Sequence, residues 1–382
     1  MRHLARTFLF GTAAAAACVL LFPTHAAFAG RGETSAYKVL QPIESGALAV
    51  FPVVTAETHD TSRFITLDEG LLSGDVVVTE AGNIGGLVRG PRQGAWHEST
   101  PLNSGAQVNT LVLINRSEKP LILLAGEIVT GGKQDRIVGK DRIVPAHSDP
   151  IDLGVFCVEP GRWVQHSSNF SPMTKQMAQP SIRASAMAAK NQQQVWDGVR
   201  GAARAAEAAA APADAAEMRG TTSYAQVMST PSVAGQVDKV AALIERQYRD
   251  IMHQLHDQRA VGVVVAVNGR IIWSDVFAST ELLEKYWPKL IRSYAAETFG
   301  NTHAYHYADV AAAQDFLDRL SGEHEVVESE PGVYREAEIT GGNFTAFELT
   351  SLLPKANFDV HIAKMAETRM AQVKPVDILR PR

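Results

Sequence analysis

Val261-Gly262-Val263-Val264-Val265-Ala266-Val267, then Asn268-Gly269, then Arg270-Ile271-Ile272-Trp273-Ser274-Asp275-Val276-Phe277, is the stretch whose reading decides the fold. Two β-rich runs joined by Asn-Gly predict a hairpin, because that dipeptide supplies the two positive φ angles of a type I′ turn. Just before it, Val240, Leu243, Ile244, Tyr248, Ile251 and Leu255 recur at spacings of three and four, the stripe of an amphipathic helix packed on a core. Just after it, a helix is expected from about Thr280 to Phe299, with Leu283, Tyr286, Trp287, Leu290 and Tyr294 on one face. Pro288 should kink or split that helix. A further helix is expected over Ala308 to Leu320, and a second hairpin over Glu325 to Ile339 around Glu330-Pro331-Gly332.

Working toward the N-terminus, Ala202 to Glu217 holds eleven alanines in sixteen residues, a composition that favours helix or a helical spacer. Pro180-Ser181 is expected to start a helix running through Gln192 to Arg204, and Pro212 and Thr221-Thr222-Ser223 should interrupt the helical run. Earlier still, from Ala47 to Val158, short β-rich runs alternate with turn residues. Examples are Leu48 to Val54, Asp75 to Thr79, Gln107 to Ile114 and Pro120 to Leu124. Strands spaced in this way suggest an antiparallel sandwich, and Leu67-Asp68-Glu69-Gly70-Leu71-Leu72 reads as one helical turn interrupting it.

The chain has 382 residues, 46% hydrophobic and 20% charged, a composition that places it among folded globular proteins and excludes disordered or fibrous ones. Thirty-six Lys and Arg face 41 Asp and Glu, so no overall basic field exists to recruit nucleic acid or an anionic membrane. Arg2, His3 and Arg6, the apolar run Phe8 to Phe22 and the small residues of Ala27-Phe28-Ala29 have the order of a secretory signal peptide with cleavage near Ala29. The expectation is therefore a secreted or periplasmic protein, with lipidation at Cys18 as a minor alternative. After cleavage only Cys157 remains, so no intramolecular disulfide is available and stability must come from core burial. Leu153 to Val158 around it suggests a buried thiol rather than a catalytic one.

The densest group of special residues is Gly126-Glu127, then Gly131-Gly132-Lys133-Gln134-Asp135-Arg136, then Asp141-Arg142, then Glu159 with Gly161-Arg162-Trp163. Glycines allow close approach and expose backbone N–H groups to an anion, while Lys and Arg add charged donors. A phosphorylated or carboxylated small molecule is the natural ligand class. On this reading Gly131, Gly132, Lys133, Gln134, Arg136, Arg162 and Trp163 bind the ligand, and Glu127, Asp135 and Glu159 act as acid/base or orienting groups. The competing reading is a brace, in which Glu127, Asp135 and Glu159 pair with Arg136, Arg142 and Arg162 to hold β-turns together. The segment is not a P-loop, because Glu127 stands where the leading Gly belongs and Gln134 replaces the magnesium-binding Ser or Thr. No Gly-x-Ser-x-Gly elbow is present, which argues against an α/β-hydrolase esterase. His253 and His256 with Asp257, and His303 with His306, have metal-ligand spacing but read as polar-face residues, so no metal or other cofactor is assigned.

The chain resembles the ARG and rhodanese-phosphatase-superfamily-associated protein domain family. The resemblance rests on Thr66-Leu67-Asp68-Glu69-Gly70, Gly126-Glu127 with Gly131 to Arg136, Cys157-Val158-Glu159 with Gly161-Arg162-Trp163, Gln194-Val195-Trp196, and Gly262 to Gly269. It covers most of residues 38 to about 300. The family's name reflects association with ADP-ribosylglycohydrolases, which implies a role around NAD-derived nucleotides, and export departs from that setting.

Taken together, the expectation is an α+β protein. It comprises a signal peptide (1–29), a β-rich unit with the polar Gly-rich loop (30–170) that is sandwich-like, a helical Ala-rich segment (171–239), an α+β hairpin-plus-helix unit (240–373) packed on it, and a disordered tail (374–382). The expected function is binding or hydrolysis of an anionic small molecule, a nucleotide- or ADP-ribose-like one being what the resemblance implies; the alternative is a non-enzymatic structural or interaction module.

Overall fold

The computed structural model describes residues 36–84, 88, 111–161, 167–300 and 308–367. The expected signal peptide, Arg162, Trp163, His303, His306 and the C-terminal tail lie outside the described residues. Strands β1 (Tyr37–Val39), β2 (Ile43–Ser45) and β3 (Leu48–Thr55) come first, followed by β4 (Ile65–Thr66), helix α1 (Leu67–Ser73) and β5 (Val76–Glu80). Eight short strands follow: β6 (Leu111–Asn115), β7 (Leu121–Leu123), β8 (Ile128–Gly131), β9 (Arg136–Val138), β10 (Arg142–Val144), β11 (Ile151–Asp152), β12 (Val155–Cys157) and β13 (Phe170–Pro172). Then come helices α2 (Pro180–Met187), α3 (Gln192–Ala209), α4 (Pro212–Met218), α5 (Tyr224–Ser229) and α6 (Pro231–His253). The chain closes with β14 (Arg259–Val267), β15 (Arg270–Phe277), α7 (Thr280–Ala296), α8 (Val310–Asp318), β16 (Glu323–Glu330), β17 (Tyr334–Thr340), β18 (Phe344–Leu353) and β19 (Ala356–Ala366). The fold is α+β.

The Asn-Gly hairpin forms as the sequence demands, with φ of 55° at Asn268 and 75° at Gly269 closing β14 onto β15. It sits inside a nine-stranded antiparallel sheet ordered β1-β3-β14-β15-β19-β18-β17-β16, with β2 also paired to β3. Strand β3 brings N-terminal residues directly against β14, where Val50 faces Val265 and Phe51 faces Val264. The alternating residues of β14 serve two cores. Val263 and Val265 join Phe277, Tyr286, Leu290 and Ile244 beneath α6 and α7, whereas Val261, Val264 and Ala266 pack with Phe51, Ala313 and Leu317 of α8. Burial on both faces explains why the strand reads as a continuous apolar run instead of an alternating one.

The β-rich stretch from 65 to 172 makes three small sheets: β10-β7-β4, β11-β6-β5 and β12-β9-β8-β13. Thr66 caps α1 through a reciprocal capping box with Glu69, which fixes the helix start and holds two otherwise unsatisfied N–H groups. The expected helix from Pro180 to Arg204 is two helices, because the chain breaks at 188–191 with Lys190 at φ 49°. Pro212 begins α4 at its first helical positions, where the missing N–H costs nothing. Pro288 lies within α7, which is continuous from Thr280 to Ala296.

Candidate functional site

The polar Gly-rich segment folds as β8, a tight turn and β9, with β12 alongside. Cys157 pairs with Arg136 across the β9–β12 ladder, so Glu159 emerges beside Asp135. Gly131 and Gly132 adopt φ of 136° and 50°, conformations open to glycine. Gly131 N donates to Asp135 Oδ1 at 3.1 Å and Ser223 Oγ donates to Asp135 Oδ2 at 2.9 Å, so both carboxylate oxygens are engaged. Asp135 N donates to Glu159 Oε2 at 3.1 Å, and Gln134 Nε2 donates to the Glu159 carbonyl at 3.1 Å. Arg136 lies beneath this turn at 1% exposure. Lys133 is the outward residue: its N–H donates to Glu80 Oε1 at 2.7 Å and its ammonium lies 3.8 Å from the same carboxylate.

Glu127 belongs to a different cluster. Its Oε2 accepts from Leu124 N at 2.9 Å, and its Oε1 accepts from Lys289 Nζ at 2.8 Å. Lys289 Nζ also donates to Asp68 Oδ1 at 2.9 Å. Burial pushes the Glu127 carboxyl up while the Lys289 ammonium pulls it down; burial opposes the charge on Lys289, but Glu127 and Asp68 outweigh it and raise its pKa. Two separated motifs, Thr66–Gly70 and Gly126-Glu127, thus meet on one lysine supplied by α7.

A third cluster lies beneath the small sheets, on the main sheet. Arg183 from α2 donates Nη1 and Nη2 to the two oxygens of Asp275 at 2.9 Å each, and its Nε donates to the Ala125 carbonyl at 3.2 Å. The guanidinium stacks 4.4 Å from the Trp273 ring centroid. His361 on β19 bridges Asp275, 3.1 Å from Nε2, and Asp141 at Nδ1, and the Tyr294 hydroxyl donates to Asp275. All of these acid, base and guanidinium groups are fully buried. Burial would lower His361, but Asp141 and Asp275 raise it to about 9. Burial likewise opposes ionisation of Asp275, yet Arg183 and His361 hold its carboxyl well below the usual range.

Gly126 makes this arrangement possible. It sits at φ 99°, and a Cβ there would fall 2.6 Å from Arg183 Cγ.

Beside Asp141, Lys140 Nζ and Arg142 Nε donate to Glu328 at 3.1 and 2.6 Å, and the Tyr334 hydroxyl donates to the same carboxylate.

The structure therefore joins Gly131, Gln134, Asp135 and Glu159 in one hydrogen-bonded turn, and puts Glu127 in a separate ion-pair cluster. The acid/base roles expected of Glu127, Asp135 and Glu159 would need carboxylates open to a substrate, and each is instead engaged by protein donors. Cys157 is buried, and burial pushes its thiol up. His253, His256 and Asp257 are exposed at the end of α6; among the described residues no group of three or more His, Cys, Asp or Glu is arranged to hold a metal ion. No described helix is long and apolar enough to cross a membrane.

Sequence reasoning passed over Arg183, Asp275, Lys289, Glu336 and His361. For Asp275, Lys289 and His361 the signal was a lone charge inside an otherwise apolar run, such as Trp273-Ser274-Asp275-Val276-Phe277 or Val360-His361-Ile362, where a charge stays only if it is partnered; Glu336, between Arg335 and Glu338, carried no such signal.

The sequence profile of the ARG and Rhodanese-Phosphatase-superfamily-associated Protein domain matches residues 36–363. No curated protein and no solved structure gives a significant match.

Proposed function

The chain belongs to the ARG and rhodanese-phosphatase-superfamily-associated protein domain family, and from that premise we propose that it is a non-enzymatic structural or interaction module working outside the cytoplasm. The observation that carries the reading is the burial and internal engagement of every expected acid/base residue. Glu127, Asp135 and Glu159 are exposed by 0%, 6% and 4%, and each accepts hydrogen bonds from protein donors. A general acid or base must reach its substrate within hydrogen-bond distance, and these groups are spent on Lys289, Ser223 and backbone N–H groups. The same accounting explains the family motifs as bracing: capping box, ion-pair cluster and buried turn. The outside location rests on the signal-peptide pattern of Met1 to Ala29.

A second reading, recognition of an anionic small molecule, is favoured by one observation. The Lys133 side chain remains 31% exposed on a turn whose glycines hold positive φ. Glu80 competes for that ammonium, which weakens the reading.

The discriminating experiment compares the mature wild-type chain with Arg136→Ala by thermal melting, alone and with ADP-ribose, NAD, sugar phosphates, dicarboxylates or divalent metals. A ligand that binds only the native state raises the melting point by mass action. The module reading predicts an early-melting variant and no ligand response in wild type.

A further inference from the structure

Glu336 on β17 has one carboxylate oxygen that accepts and one that has no partner. Its Oε1 accepts from Asp141 N at 3.2 Å, while its Oε2 is buried without a hydrogen bond. The residue is 1% exposed.

We propose that Glu336 is a proton-operated latch between the β16–β17 hairpin and the turn at 139–142: its neutral carboxyl holds the turn down, and loss of the proton lets the turn open.

The case rests on what surrounds the group. Asp141 of the turn and Glu328 of β16 bring negative charge to bear on it, and Lys140 and Arg142 supply the nearby cations, both already bonded to Glu328. Tyr334, on Glu336's own strand, donates to Glu328. His361 on β19 faces Asp141 from the other side. Ionising Glu336 would place a third carboxylate beside Glu328 and Asp141 in a buried site, where Lys140, 29% exposed and bonded to Glu328, and the Asp141 N–H offset only part of the cost. Burial first, then Asp141 and Glu328, push its carboxyl up to about 8. The joint is also unusual in its bonding. Lys140 and Arg142 to Glu328, and Asp141 to Glu336 and His361, tie the turn to the large sheet through charged or ionisable groups. Such a joint responds to protons in a way that an apolar contact does not.

In the open state the carboxyl meets water and returns toward its ordinary value near 4.5. Opening therefore releases one proton between about pH 4.5 and 8, and becomes easier on the order of tenfold per pH unit across that window.

The test is hydrogen exchange from pH 5.5 to 8 on the mature chain, corrected for intrinsic base catalysis, in wild type and Glu336→Gln. The amide keeps the neutral shape and cannot ionise. The expected result is protection in 139–144 and 323–340 that falls about tenfold per pH unit more steeply in wild type than in the variant. Protection in β3 and β14, which is lost only on global unfolding, should stay higher than in these segments at every pH in both. Equal slopes in 139–144 and 323–340 would overturn the latch. A carbon-13 titration of the wild-type Glu carboxyls stands independently of whether the variant folds. A resonance with a midpoint near 8 is expected, above that of Glu348 near 7, and the absence of any Glu titrating between 7.5 and 9.5 would equally overturn the proposal.

Discussion

Arg183 holds Asp275 through two parallel hydrogen bonds of 2.9 Å, and both side chains are wholly shielded from solvent. Truncating one partner of a buried pair strands the other charge, which costs about 3–5 kcal/mol. Arg183→Ala and Asp275→Ala are each expected to lose stability of that order in urea unfolding. The double change Arg183→Met with Asp275→Leu should cost less than the sum of the two single changes, because neither member of the pair is left charged and alone, although the Tyr294 hydroxyl and His361 Nε2 still lose Asp275 as a partner. Single variants as stable as wild type would show that the pair is not the brace described.

Lys289 joins Glu127 and Asp68 under different degrees of cover. The Glu127 side chain is 1% exposed and that of Asp68 is 19% exposed. Lys289→Ala should therefore cost about 3–5 kcal/mol, whereas Asp68→Asn should cost about 1 kcal/mol or less, since water can replace it. The ratio of the two unfolding free energies is the measurement that matters.

Stability should depend on pH with a sign fixed by His361 and Glu336. Both keep their protons in the folded state, His361 to about 9 and Glu336 to about 8, and release them near 6.5 and 4.5 when unfolded. Their contribution is complete below those unfolded values and is lost as pH rises through the folded ones, most steeply between about 6.5 and 8, where both are being lost. Asp275 acts oppositely. Its depressed carboxyl stabilises above its ordinary value of 3.8 and loses that contribution as pH falls. Denaturation midpoints measured from pH 3 to 10 should peak near pH 4, between the ordinary values of Asp275 and Glu336, and fall more steeply above about 6.5; a peak near pH 9 would contradict both assignments.

Gly126→Ala should destabilise by about 1–3 kcal/mol, because the position combines a positive φ with an approach of 2.6 Å between a new Cβ and Arg183 Cγ. Gly74→Ala offers the control. It has φ 80° and open space around it, so only the backbone penalty applies. Thermal melting of the two variants separates strain from collision.

Much of the fold was legible because its punctuation is local. Asn268-Gly269 declares the central hairpin, Pro180 and Pro212 stand at helix starts, and the stripe from Val240 to Leu255 lies largely on α6. The longest hairpin, β18–β19, escaped notice. Its turn places Lys355 at φ 63°, a conformation that Asn or Gly usually advertises, and Glu348, Asp359 and Lys364 interrupt its apolar pattern. The candidate site was half visible. Sequence located the polar Gly-rich turn, but whether a carboxylate faces water or a lysine 162 residues away is decided by tertiary packing, as Glu127 and Lys289 demonstrate.

The most direct test of the bracing account is the melting temperature of Arg136→Ala beside wild type across the anion and metal panel. The account predicts a variant that melts several degrees early and a wild type that no compound stabilises. A wild-type shift with one compound, abolished in a variant that melts as wild type does, would contradict it and turn the Gly131–Arg136 turn into a binding site.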